Sequence, residues 1–507
     1  MTLHAMLRDN RTRFPERPWL RFGPQTWTYA EGDALTDRLA AGLWSIGIRK
    51  GDRVGLLLAN CPEIVFCYFA CFKIGAIAVP LNTRFQASEL AYALGHAEAR
   101  ILIGHADLCS AVLPLREQLP SLSEIYVVGR PSAETKPFSQ LHETQGATAI
   151  SAGASEQVVA LLYTSGTTAK PKGVIHSHAT LLQQNTNMIE TYGHDAFAVT
   201  AIAMPLCHIA GFSVQMLVAT QAAGTIVILP GFDAENVLRT IEQSRATYLF
   251  TLPTHVNMMV NHPRADEFDL GSLRLCIAGG DCLPMELHDR FQAMFGVTID
   301  EGCGMTEVVY TLQPRLAGER RVGSIGKPLG DVTIRLEDEH GKEVPPGHAG
   351  EIVVSSKAVT YGYWNDPHST GATIRGGALY SGDLARRDDD GFYWFVGRCK
   401  DIIIRGGSNI SPAEIEDVLY RHPAVYEAGV VGLPDPELGQ KVRAYVALKP
   451  GIEATEADLI AWAGKSLAAY KVPESIMFAA QLPKGPTGKV LRRALRDEAG
   501  TPDRSPA

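Results

Sequence analysis

Two hydrophobic rhythms alternate along most of the chain. Short apolar, β-branched runs are each followed by a longer amphipathic or wholly apolar segment. RVGLLLAN leads into CPEIVFCYFACFKIGA, IAVPLNT into SELAYALGHAEA, and GTIVILP into DAENVLRTIEQSRA and then TYLFTLP. Strand-length runs interleaved with helix-length segments predict an α/β protein whose layers hold largely parallel sheets. The longest apolar stretch, Ile64 to Ala78, is broken by Lys73 and reads as a buried helix. No segment reaches the roughly 18 apolar residues that a membrane span requires.

From about Gly323 the texture changes to short strands (VTIRLED, GEIVVSS, GFYWFVGR) separated by Gly, Pro and Asp turns, which predicts a β-rich subdomain over 323–398. A charged stretch, Arg398 to Asp401, divides two strand-like segments, so a large domain is expected over 1–398, a hinge at 399–401 and a small α+β domain over 402–507. A helix is expected from about Glu456, and Ser411-Pro412 reads as a helix N-cap followed by proline at the first helical position. Asp497 to Ala507 reads as a disordered end.

With 507 residues the chain exceeds what one hydrophobic core organises. Its formal charge of −8 and the lack of any basic run argue against a nucleic-acid partner, so a polyanionic substrate would have to be held by local groups. The start of the chain lacks the apolar core of a signal peptide. Nine cysteines are scattered without a CxxC pair, which fits a reducing, cytoplasmic setting. Cys67 and Cys71 read as small core residues, and His176 and His178 carry no metal assignment.

One loop carries strong chemistry. Residues 163–174 read YTSGTTAKPKGV after the strand-like VVALLYT. Thr164, Ser165, Thr167 and Thr168 supply hydroxyls, Gly166 lets backbone approach a polyphosphate, and Lys172 supplies charge. The spacing is not that of a Walker A loop. The segment resembles the signature of the adenylate-forming superfamily, which includes acyl-CoA synthetases, firefly luciferase and peptide-synthetase adenylation domains. The likeness runs from about Leu20 to Arg493, through several motifs in the family's order.

That resemblance implies roles for further residues. In MPLCHIAGF (204–212), His208 would stand near the substrate carboxylate and the α-phosphate. In IAGGDCLP (277–284), Gly279, Gly280 and Asp281 would border adenine. In EGCGMTE (301–307), Glu301, Gly302, Cys303 and Gly304 would line the nucleotide, Thr306 would contact the α-phosphate, and Glu307 would hold Mg²⁺, a cation that favours carboxylate and phosphate oxygens. The family commonly has an aromatic residue where this chain has Cys303, and an amide where it has Glu301. In YSGDL (380–384) and GRCKD (397–401), Asp383 and Arg398 would hold the ribose and Asp401 would be the hinge. Gly406 and Gly407, with Lys471, would line a pantetheine tunnel, and Lys489 in PKGPTGKVLRR (483–493) would be the adenylation lysine.

The implied reaction is an ATP-dependent carboxylic acid–CoA ligation through an acyl-adenylate, with pyrophosphate and AMP released. ATP, Mg²⁺ and coenzyme A are the implied cofactors; the small acid, ATP and CoA are the implied partners, and a homodimer is compatible. By position, Met204, His208, Ile209, Phe250, Gly280, Gly302, Val309 and Tyr310 would form the acid pocket. They include no charged side chain to select a second ionic group. The motif texture resembles ligases for aryl acids such as 4-chlorobenzoate and for medium-chain acids, and the two glycines are expected to leave room for a bulkier alicyclic or chain-like acid. Loading of a carrier protein is the alternative within the superfamily, and a nucleotide-binding protein without catalysis is the alternative outside it.

Overall fold

The computed structural model describes residues 1–143, 153–164, 171–314, 318–485 and 489–499. Among them the strands form four sheets. A seven-stranded sheet contains Arg53–Leu57, Ile77–Pro80 and Ile101–His105 in parallel, and ends on the antiparallel pair Val158–Thr164 and Lys172–Ser177. A nine-stranded sheet sets Val199–Ile202, Tyr248–Thr251, Leu275–Gly279 and Ile299–Met305 side by side, all parallel. The predicted α/β layers are therefore present.

The apolar segment expected to be buried forms the helix Pro62–Ile74, with every residue buried except Glu63. Its interruption is neutralised locally. Lys73, fully buried, donates to the Asp33 carboxylate at 2.6 Å and to Asp37 at 2.7 Å, and also to Thr36. A buried ammonium survives only with such partners. Cys67 and Cys71 lie in this helix as core residues. No helix among the described residues is long and apolar enough to cross a membrane.

The β-rich texture from Gly323 onward becomes a five-stranded antiparallel sheet that includes Ala349–Ser355, Ala378–Arg387 and Tyr393–Arg398. After Arg398 the chain enters a separate five-stranded sheet built on the long hairpin Val425–Asp435 and Gly439–Leu448, covered by the helices Pro412–Tyr420 and Glu456–Gly464. Ser411 stands at the N-cap and Pro412 in the first turn, as expected, although the Ser411 hydroxyl donates to the Val396 carbonyl of the strand Tyr393–Arg398 and makes no cap bond. The C-terminal helix Arg492–Ala499, with Leu495 buried, takes up residues 497–499 of the segment expected to be disordered, and residues 500–507 of that segment lie outside the described residues.

Candidate active site

Parallel strands aim their carboxyl ends at one place, and the loops there carry the site. Val199–Ile202 leads to Met204 and His208, Tyr248–Thr251 carries Phe250, Leu275–Gly279 leads to Gly280 and Asp281, and Ile299–Met305 ends beside Thr306 and Glu307. The last strand pairs with Val308–Leu312 through a bulge between Cys303 and Gly304, a device that re-aims side chains. After His208 the chain forms a π-helix, Ala210–Leu217, an unusual winding that recurs at functional sites. The Asn60 side chain fixes the approach to it by donating to Met204 O and accepting from Leu206 N.

The phosphate loop leaves the strand Val158–Thr164, as its sequence suggests, and Thr164 pairs across to Lys172. Ser165, Gly166, Thr167 and Thr168 lie outside the described residues. The Lys172 ammonium stands 4.8 Å from the centre of the Tyr363 ring. The hydroxyl of Tyr363 donates at 2.7 Å to Glu307, whose carboxyl is buried and pushed above the usual carboxylate range by that burial. His176 fixes the neighbouring turn through a 2.9 Å bond to Thr306 O, and burial lowers its pKa to about 4.

Asp383, on the strand Ala378–Arg387, stands opposite Arg398 in the register of the antiparallel pair, with the guanidinium 3.4 Å away. The Tyr310 hydroxyl donates to its other oxygen at 2.9 Å and meets Cys303 Sγ at 3.0 Å. The phenol assigned by position to the acid pocket is thus turned toward the expected ribose carboxylate. Glu301, expected at adenine, is buried and accepts from Leu283 N at 3.2 Å and from His288 at 3.1 Å. Those bonds hold the loop after Gly280.

Lys489 reaches this site from the far end of the chain. A Cβ placed on Gly280 would lie 2.9 Å from Lys489 Cε and 3.2 Å from its Nζ, so glycine at 280 makes room for the lysine. Burial lowers the Lys489 pKa, and the neighbouring Arg398 lowers it further, while Asp281 and Asp383 oppose this. His208, lowered to about 4 by burial and then by Lys489, stays neutral beside it. The room attributed to Gly302 is also taken, because a Cβ there would lie 2.1 Å from Leu312 Cδ2. Neither glycine enlarges the acid pocket in this arrangement. Met204, Ile209, Phe250 and Val309 remain as its apolar candidates.

Gly406 and Gly407 sit at the exposed turn between Ile403–Arg405 and Ser408–Ile410. Lys471 is paired with Glu414 at 2.7 Å, and Asp401 accepts from Arg496 at 2.6 Å. Lys489 is therefore brought to the carboxyl ends of the parallel strands, against Gly280, while the expected tunnel residues are not. Sequence reasoning missed Asn60, His176 and Tyr363, whose partners lie 144, 130 and 56 residues away along the chain.

Residues 7–364 match the family model of AMP-binding enzymes, and residues 414–489 match that of the AMP-binding enzyme C-terminal domain. The chain belongs to the AMP-binding enzyme family. Among its relatives, the feruloyl-CoA synthase of an Amycolatopsis species is 36% identical over 491 residues, 96% of each chain. A long-chain-fatty-acid–CoA ligase of Bacillus subtilis is 32% identical, covering 98% of this chain and 94% of that one. The crystal structure of the anthranilate CoA ligase AuaEII with anthranoyl-AMP superposes with a TM-score of 0.93 at 30% identity, covering 98% of this chain and 97% of that one.

Proposed function

We propose that this AMP-forming acid–CoA ligase activates a hydrophobic carboxylic acid with ATP at the Lys489 site and passes the acyl group to coenzyme A. The observation that carries the reading is the burial of Lys489 against Gly280, beside His208 and in the field of Asp383 and Asp281. A cation reaching the carboxyl ends of these strands answers a specific need. A carboxylate attacking an α-phosphate brings two anions together, and donors fixed where charge develops lower that barrier. Holding the reactants in register supplies much of the remainder.

The roles then follow from the atoms. Lys489 binds the carboxylate and the α-phosphate, and neutral His208 offers a ring nitrogen without adding a second cation. Asp383 accepts from the ribose hydroxyls and Arg398 holds Asp383. Thr164 and Lys172 lie at the mouth of the phosphate loop. For Mg²⁺ the donor set fits, because Glu307 presents a buried carboxyl group and Mg²⁺ commonly takes one or two carboxylates with phosphate oxygens and water. Glu307 would hold it, and its chemistry would be neutralisation of phosphate charge.

The acyl-adenylate then meets the thiol. With Gly406, Gly407 and Lys471 outside the site in this arrangement, the reading requires the C-terminal unit to turn about Asp401 between the steps. The acid is hydrophobic, drawn from aryl, alicyclic or medium- and long-chain acids, since Met204, Ile209, Phe250 and Val309 offer no charge. The test is pyrophosphate release across a panel of such acids, with and without CoA. The reading expects release that depends on the acid, and acyl-CoA formed without a carrier protein. Acid-independent ATP turnover, or no acyl-CoA with any acid that releases pyrophosphate, would contradict it.

A further inference from the structure

A buried phenol must find a partner, and the one chosen by Tyr310 is informative. Tyr310 is fully buried on the strand Val308–Leu312. Its hydroxyl lies 2.9 Å from Asp383 Oδ2 and 3.0 Å from Cys303 Sγ. A phenol has one proton, and an ionised carboxylate can only accept, so that proton goes to Asp383. The thiol then donates to the phenol oxygen, giving a directed chain from Cys303 through Tyr310 to Asp383. Arg398 approaches the opposite oxygen at 3.4 Å. Asp383 is thus held by the Tyr310 hydroxyl donor on one oxygen and by the Arg398 charge beside the other.

The two holders differ in how firmly they are placed. The Arg398 side chain is 47% exposed, while Tyr310 is 0% exposed and stands in the hydrophobic cluster with Tyr248, Leu312 and Tyr393. A long exposed side chain keeps rotamer freedom that a buried ring has lost. The thiol at 303 lies directly against the phenol oxygen that reaches Asp383. An aromatic side chain there would meet the phenol oxygen now 3.0 Å from Sγ.

We propose that Tyr310 is the positioning residue that holds Asp383 in the orientation that reads the ribose hydroxyls, so that this chain's preference for ribonucleotides passes through the Tyr310 hydroxyl. The proposal rests on the reading of Asp383 as the ribose-binding carboxylate. Tyr310 itself does not touch the nucleotide in this account. Its removal should weaken what Asp383 contributes and leave the rest of the site alone.

The test compares ATP with 2′-deoxy-ATP and 3′-deoxy-ATP in acid-dependent pyrophosphate release, taking the ratio of kcat/KM values for wild type, Tyr310→Phe and Asp383→Ala, with Tm recorded for each. Tyr310→Phe keeps the ring and removes one oxygen. It should lower the preference for ATP over the deoxynucleotides about tenfold, the scale of a hydrogen bond to a charged group, mainly through KM. Turnover of the deoxynucleotides should change by less than about threefold on the same reasoning. If Tyr310→Phe retains the wild-type ratio while Asp383→Ala abolishes it, the proposal is overturned and the ribose reading stands. An equal fall for all three nucleotides with a lowered Tm would reduce Tyr310 to a structural role and also overturn it. If Asp383→Ala retains the ratio, the ribose reading itself is wrong and the proposal goes with it.

Discussion

Lys489 and Gly407 belong to the same C-terminal unit and have opposite surroundings. The lysine end is packed against Gly280 from the large domain, with His208 neutral beside it and its own pKa lowered by burial. The glycine end is a solvent-facing turn with φ of +79° and nothing within 4 Å of a notional Cβ. Two further contacts hold the lysine end in place: Asp417 accepts from Met285 N at 3.0 Å, and Asn257 donates to Tyr426 O at 2.8 Å. One rigid unit cannot bring both ends to the same strand termini. On the proposed reading, this arrangement would serve the step that uses Lys489, and a step using Gly407 would need the Asp417 and Asn257 contacts to open.

The comparison can be broken at either end. Gly407→Leu should slow thioester formation about 100-fold, the scale expected when a reacting group is misplaced, while acid-dependent pyrophosphate release stays near wild type. The positive φ adds a backbone cost of about 1–2 kcal/mol for leucine, visible as a lower Tm of the C-terminal unit. Equal loss in both half-reactions would remove Gly407 from the thiol path. Asp417→Ala takes away a bond to a helix start, worth about 1 kcal/mol, and should slow adenylation about fivefold with little effect on the thiol step.

The pH profiles should separate the ends as well. Burial lowers the Lys489 pKa from 10.5, so the cation is lost earlier than in an ordinary lysine as pH rises. Adenylation should therefore fall on the alkaline side below that value, whereas thioester formation should rise there as the thiol ionises, its free pKa being about 8.5. A smaller effect concerns His208. With its pKa lowered to about 4, it is neutral above that pH, so adenylation should show no acid limb at the ordinary histidine value of 6.5. A limb near 6.5 in pyrophosphate release, absent in His208→Asn, would mean that the buried arrangement is not the working one.

The same contrast explains how much was legible in the sequence. The layers, the phosphate-loop strand and the order of the motifs follow from local rhythm and from residue types that tolerate few other uses. What escaped depends on contacts across elements. Tyr310 was placed by position in the acid pocket, yet its hydroxyl bonds Asp383 73 residues away, because a bulge at Cys303 and Gly304 redirects the pair of strands. Gly302 suggested space, and Leu312 from the neighbouring strand fills it. Glu301 suggested an adenine contact and spends its oxygens on Leu283 and His288. In each case the residue type was readable and its partner was not.

Lys489→Ala separates the two ends of the C-terminal unit most sharply, with the two half-reactions measured on the full-length protein. Adenylation is read as acid-dependent exchange of pyrophosphate into ATP, and transfer as acyl-CoA formed from supplied acyl-adenylate. Exchange should fall by about 100-fold or more, the scale of losing a group that stabilises developing charge, while transfer stays within a few-fold of wild type. Equal loss of both, or exchange that survives without the lysine, would contradict that separation.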